Sequence, residues 1–282
     1  MQSYGSDIPG AVPIYRSSLL DVTDPSVYHK VLQTADDPDL SFWDEAGEFH
    51  AVFGDEFGVE ALSTADPLQG LHVHSSLADL EFDWTFSFTS PALLNAALGS
   101  YLVNGDYGYE WSVPRGAIAG WLKVGDEVID IVPEKSSAWY DRQWASLQGS
   151  FNWIAMNFDD SDWLDLKSLA VWDWQDPVQG RKQFATARSP RTGRDSVVPS
   201  LTKLSETKTY TSPETDLVFP NEWTVIIEDV EILVSTPRND QIFEADPEVG
   251  FPPQFSGYVE LEARRAGHPP VRGWGAVDYL IL

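Results

Sequence analysis

The chain is 282 residues long and carries 44 Asp and Glu against 18 Lys and Arg, a formal charge of -26. That surplus of acid argues against nucleic acid and anionic membrane as partners, because phosphate binding is driven by cationic side chains. Cysteine is absent, which excludes disulfides, thiolate catalysis and Cys-bound metal centres, while aromatic residues reach 13 % with 12 Trp.

From the N-terminus, Met1 to Asp7 lacks the basic and apolar regions of a secretory signal, so a cytoplasmic location is expected. No run of about 20 apolar residues occurs, so no membrane span is expected. Acids crowd residues 1–60 and read as a solubilising surface. Asp39 to Phe49 is the best short helical pattern in a chain whose helical periodicity is weak throughout. His72-Val73-His74 places two imidazoles on one strand face. Catalytic zinc usually takes three protein ligands and no third is evident, so the pair reads as polar strand residues and no metal is expected.

Leu80, Phe82, Trp84, Phe86 and Phe88 alternate with Glu81, Asp83, Thr85 and Ser87, which predicts a strand with one aromatic face. Ile118 to Val124 and Val128 to Val132 flank the turn signal Gly125-Asp126-Glu127. The basic stretch 181–209, with Arg181, Lys182, Arg188, Arg191, Arg194, Lys203 and Lys208 set among Ser, Thr, Gly and Pro, reads as a solvated loop. Trp223 to Val234 alternates with a slip between Ile227 and Val230, which predicts a bulge. Phe255 to Ala263 and Val271 to Leu282 read as a closing pair of strands around residues 264–270. Many short strands between Gly, Pro and Asp turns predict an all-β sandwich or barrel.

No dinucleotide fingerprint, phosphate loop, zinc-protease helix, calcium loop or nucleophile elbow is present. The densest chemistry lies between residues 109 and 174. A strand through Trp139-Tyr140-Asp141-Arg142-Gln143-Trp144 puts Trp139, Asp141 and Gln143 on one face and Tyr140, Arg142 and Trp144 on the other. A carboxyl walled by aromatic rings is desolvated, which raises its pKa and lets it donate a proton near neutrality. Indole faces stabilise electron-poor π systems. The same pattern is also that of a core strand whose Asp141 and Arg142 bond only to their neighbours.

The segment Trp139 to Trp144 resembles the W-Y-D-R-Q-W-G signature of the hydroxyneurosporene synthase (carotenoid 1,2-hydratase)-like family, in the fungal branch that includes Diels–Alderases and kievitone hydratase. Ser90-Pro91-Ala92-Leu93-Leu94-Asn95, Glu110-Trp111-Ser112-Val113-Pro114, Phe151-Asn152-Trp153, Asn239-Asp240-Gln241 and Val271 to Asp278 are similar to further family patterns, in collinear order over residues 80–282. Ala145 and Asp278 depart from the usual Gly and Glu, and residues 1–79 align poorly. The resemblance implies two tandem lipocalin-like β domains, here 1–146 and 147–282, with no metal and no organic cofactor. It implies a small apolar polyketide or terpenoid substrate held in and between the domains.

Three functions follow. The first is a cofactor-independent pericyclase, a Diels–Alderase or hetero-Diels–Alderase that holds diene and dienophile in a near-attack geometry. The second is a hydratase or acid-driven cyclase, for which the resemblance makes Asp141 the acid that protonates a prenyl double bond. The third is a lipocalin-like carrier of an apolar ligand. The site residues expected are Trp139, Asp141 and Gln143 as catalytic, with Trp84, Trp111, Tyr140, Arg142, Trp153 and Asn157 binding substrate. The competing arrangement turns Tyr140 and Arg142 to the substrate and leaves Asp141 to the fold.

Overall fold

The computed structural model describes residues 2–4, 14–34, 50–53, 56–63, 65–66, 68–77, 80–103, 105–144, 149–189, 191–244 and 252–281. The expected helical segment Asp39 to Phe49 and the departure at Ala145 lie outside them. Within them the chain is all-β, with two single-turn 3-10 segments, Asn95–Ala97 and Pro133–Lys135. It divides into two units, each made of two stretches of sequence: Met1–Pro91 with Arg115–Trp139, and Ala92–Pro114 with Tyr140–Leu282. Two of the three crossings fall inside strands, Asp106–Val124 and Ala138–Trp144. This partition differs from a single cut between residues 146 and 147.

The first unit contains the three-stranded sheet Gln2–Tyr4, Ile14–Leu20 and Tyr28–Thr34. It also contains an antiparallel meander of His50–Phe53, Phe57–Ala61, Gly70–Leu77, Leu80–Phe88, residues 115–124 and Glu127–Ile131. The aromatic alternation of Leu80–Phe88 is realised: Phe82 is buried, and its ring stacks on Trp84 at 4.1 Å. Gly125 adopts φ 58°, the left-handed value that the turn between Val124 and Glu127 requires and glycine supplies without strain. His72 and His74 share a face with ring centroids 5.5 Å apart, and His72 Nε2 lies 3.1 Å from Asp83 Oδ1.

The second unit is built on a long ladder. Its order is Asp195–Pro199, Gly180–Arg188, Ser168–Asp176, Phe151–Phe158, Val271–Leu280, Gln254–Arg264, Val230–Ser235, Glu222–Ile227 and Leu201–Leu204. The first and last members of that order are separated in sequence only by Ser200, so the sheet curls round on itself as a lipocalin-like barrel. Between its ends the seam is bridged by side chains: Arg181 Nη2 and Gln183 Nε2 donate to the Thr202 carbonyl at 3.2 and 3.3 Å. Alternate residues turn inward, and Ile154, Met156, Leu169, Val171, Val225, Ile232, Val234, Phe255, Val259 and Val277 fill the lumen. Burying each of these larger aliphatic side chains contributes about 1.5–3 kcal/mol. Trp223 donates its indole N–H to Asn152 Oδ1 at 3.0 Å inside this core.

Two sequence expectations are corrected here. The basic stretch 181–209 is not a loop, for it carries most of Gly180–Arg188 and all of Asp195–Pro199 and Leu201–Leu204. Its strands hid because the inward positions of the first are small or polar, Arg181, Gln183, Ala185 and Ala187, and give no hydrophobic period. The slip between Ile227 and Val230 is a hairpin rather than a bulge: the two residues pair directly across Glu228 and Asp229. Glu228 takes φ 52°, an unusual load for a Glu, so the turn carried none of the Asn-Gly signal by which such hairpins are read. The closing pair is realised as Gln254–Arg264 and Val271–Leu280. Gln241 locks its edge, accepting from the Tyr258 amide and donating to its carbonyl, both at 2.9 Å. Gly257 leaves the room for this, since a Cβ there would stand 2.4 Å from the Gln241 amide.

Candidate active site

The site lies on the outer wall of the barrel, not in its packed lumen. Short strands of the same unit, Leu93–Leu94, Ser100–Val103 and residues 106–114, with 140–144, lie over Phe151–Phe158, Ser168–Asp176 and Gly180–Arg188. The layer is pinned by Asn157 Nδ2 on the Pro114 carbonyl at 2.9 Å, the Ala96 amide on Thr186 Oγ1 at 2.9 Å and Arg188 Nη2 on the Ala92 carbonyl at 2.5 Å. Outward-facing rings of the wall meet Tyr101 from above: Trp174 at 5.7 Å, Trp172 at 5.9 Å and Phe184 at 6.5 Å between centroids.

Between these layers a carboxyl is buried. Glu110, only 2 % exposed, accepts on Oε2 from the Tyr101 hydroxyl at 3.1 Å and from the Trp172 indole N–H at 2.8 Å. The Trp153 indole also lies near this carboxyl. Burial and then the charge of Asp141 push the Glu110 pKa well above the usual carboxylate range, and they outweigh the Tyr101 and Trp172 donors. Burial therefore favours the neutral form of Glu110. Tyr101 is pushed up by burial and by Glu110 and stays a phenol. Its hydroxyl accepts from Gln143 Nε2 at 2.7 Å.

Asp141 has the opposite environment. It is half-buried, and the Ser112 hydroxyl donates to its Oδ1 at 2.5 Å, with Asn95 Nδ2 on Ser112 Oγ at 3.2 Å behind it. Asn95 and Ser112 are fully buried. Asn95 opens the 3-10 turn in which Ala96 and Ala97 take φ 53° and 60°. Left-handed alanines cost about 1–2 kcal/mol each, and strain of this kind collects at functional sites. The Ser112 hydroxyl is aimed at Asp141, while burial favours the neutral form of Glu110. Two interacting carboxyls in unlike settings, one buried and one half-buried, have the make-up of an acid–base pair.

The strand alternation places the other residues. Trp111 and Tyr140 sit on the reverse face, ring to ring at 5.6 Å, and Arg142 lies 4.7 Å over the Trp144 ring. Asp141, Gln143 and Trp153 thus gather at Glu110, whereas Trp111, Tyr140 and Arg142 form a separate aromatic and guanidinium face. Asn157 is held in the barrel wall by Pro114 and by the Ser168 hydroxyl at 2.6 Å. Trp139 keeps the phase of Asp141 and Gln143 along its strand but is counted with the first unit, as is Trp84. Sequence reasoning quoted Glu110 and Ser112 only as part of a family pattern and named neither them nor Tyr101 and Trp172 as site residues. A signal existed: Gly108, Glu110 and Ser112 follow one phase of a strand, and a carboxyl on the buried phase is rare unless partnered. Among the described residues no three His, Asp or Glu groups are placed to hold a metal ion.

Comparison with known proteins agrees with the motif reading. The family model described as AttH-like matches residues 32–277. The kievitone hydratase of Fusarium solani subsp. phaseoli is 27 % identical over 227 residues, which is 78 % of this chain and 62 % of that protein, so the chain spans under two thirds of its length. The dehydratase asqC of Emericella nidulans is 26 % identical over 291 residues, covering 97 % of this chain and 78 % of that one. The crystal structure of kievitone hydratase from Nectria haematococca superposes with a TM-score of 0.82 at 22 % identity, over 96 % of this chain and 80 % of that one. An AttH protein from Nitrosomonas europaea gives 0.72 at 17 % identity, over 98 % and 84 %.

Proposed function

We propose that this chain, which belongs to the AttH-like family, is an enzyme that adds water to, or removes it across, a carbon–carbon bond of an apolar natural product. The curated relatives named a hydratase and a dehydratase support water chemistry of this type. The observation that carries the reading is the neutral Glu110 set beside Asp141 on a wall of aromatic rings.

In hydration, the proton held by the carboxyl pair passes through half-buried Asp141 to one carbon of the double bond. The oxygen of water bonds to the other carbon, and the proton that water releases returns to the pair. Dehydration is the same path reversed, and the pair holds one proton before and after. Asp141 is the catalytic residue, because burial keeps Glu110 behind it. Positioned proton transfer of this kind contributes about 10²–10⁴-fold. A turnover in water enriched in ¹⁸O tests the reading: label must enter or leave the substrate, and a product with no exchange at a new or lost hydroxyl refutes it.

A second reading, control of a [4+2] cycloaddition, rests on the reverse face. Trp111, Tyr140 and Trp144 offer flat apolar surfaces around Arg142, which suits the positioning of an extended π system beside a carbonyl oxygen. Here the product mass equals that of the reactants, no solvent oxygen enters, and substitutions at Trp111 rather than Asp141 abolish turnover.

A further inference from the structure

We propose that Tyr101 and Gln143 are positioning residues that, with Trp172, occupy Glu110 Oε2 and confine the carboxyl proton to Oε1. This rests on the carboxyl-pair reading, and it assigns the proton to one atom of that pair.

The argument is a count of protons. A phenol has one, and Tyr101 spends it on Glu110 Oε2 at 3.1 Å. Gln143 Nε2, which only donates, points its hydrogen at the same phenol oxygen at 2.7 Å, so Tyr101 cannot turn its proton that way. The Trp172 indole, a donor only, takes a second position on Oε2 at 2.8 Å. An oxygen that receives two donors is the carbonyl oxygen of a neutral acid, and the hydroxyl is left to Oε1. The rings of Trp172, Trp174 and Phe184 around Tyr101 fix the phenol from which this order follows. The charged or titratable groups set against Glu110 are Tyr101, from Ser100–Val103, and Asp141, from Ala138–Trp144. The neighbours from the barrel wall are the neutral indoles Trp153 and Trp172. Tyr101 is a donor to Oε2, so Oε1 is the oxygen left to carry the exchangeable proton. Gln143 is exposed, so the chain that orders this proton begins at the surface.

Infrared difference spectra of the resting protein, without substrate, read this directly. The wild type must show a carbonyl stretch of a neutral carboxyl that vanishes in Glu110→Gln. In Tyr101→Phe that carbonyl oxygen loses one of its two donors, so the band moves to higher frequency. In Gln143→Leu the phenol is freed and the band shifts by a smaller amount. Gln143 is exposed, so this variant keeps the test alive if Tyr101→Phe does not fold. An unmoved band in a folded variant, a band moved to lower frequency, or no such band in the wild type overturns the assignment. In turnover, Tyr101→Phe lowers kcat about tenfold with KM unchanged and moves the alkaline limb of the pH profile upward, since a donor to the ionised form is gone. A merely structural Tyr101 gives the loss without the upward move. The spectra need no reaction, so a shifted band in a protein that exchanges no water oxygen refutes the proposed function and leaves the proton assignment standing.

Discussion

Ser112 gives its hydroxyl proton to Asp141, across two strands that are 29 residues apart in sequence. Asn95 donates to the same Ser112 oxygen at 3.2 Å, which favours the orientation that points its hydrogen at Asp141. The Asp141 carboxylate is held by the fold rather than by solvent, and the consequences can be measured.

Asp141→Asn keeps the shape and much of the hydrogen bonding but removes the proton carrier. Water addition should fall by about 10²–10⁴-fold while the melting temperature changes little. Ser112→Ala should retain activity within about tenfold to a hundredfold of wild type, the range expected for one lost hydrogen bond to a charged group. Steady-state kinetics on folded variants check both. Full activity in Asp141→Asn removes the strand from the chemistry.

Glu110 makes a prediction about stability. Its folded pKa is raised, whereas in the unfolded chain a Glu ionises near about 4.3. Above that pH the native state holds a proton that the unfolded state has lost, so this group makes stability fall as pH rises from about 4.3 toward the folded pKa. Glu110→Gln removes the dependence. Denaturant midpoints across this range should decline more steeply for the wild type than for the variant, and parallel profiles count against a neutral Glu110.

Trp223→Phe should destabilise the barrel by about 2–4 kcal/mol. It leaves a gap in a fully buried position and strands the buried Asn152 Oδ1 without its indole donor. Because Trp223 lies in the lumen and the carboxyl pair on the outer wall, kcat measured well below the new melting temperature should stay within about twofold. Urea titration and kinetics on one sample decide this.

Activity should survive exhaustive chelation. The chain has no Cys, and among the described residues no three His, Asp or Glu groups are placed to hold a metal ion. Loss of turnover with EDTA and recovery with a divalent metal would refute the metal-free mechanism.

The sequence disclosed the strands with large side chains in strict alternation, such as Leu80–Phe88 and the closing pair, since period 2 is a local property. It drew attention to Asp141 and Gln143 because they stand in a recognisable aromatic segment. It hid Glu110, whose burial is made by Trp172, 62 residues further along the chain. In one dimension Glu110 looks like any acid on a mixed strand. The basic segment 181–209 misled for a related reason. Its charges serve barrel partners, as when Arg181 grips buried Asp173 at 2.9 Å and Arg188 grips Asp195 at 2.7 Å, and a side chain that pairs inward reads locally like one that faces water.

The barrel seam has a final consequence. Every other junction of the ladder carries repeated amide-to-carbonyl bonds, whereas Gly180–Arg188 reaches Thr202 through the ends of Arg181 and Gln183. Long side chains release more rotational entropy when they let go than a paired backbone does. Local opening should therefore begin at this line, and amides of Leu201–Leu204 should exchange deuterium sooner than those of Phe151–Phe158 in the middle of the ladder. Phe151–Phe158 and Ser168–Asp176, which lie under Glu110, would then keep their pairing while the barrel breathes at its seam.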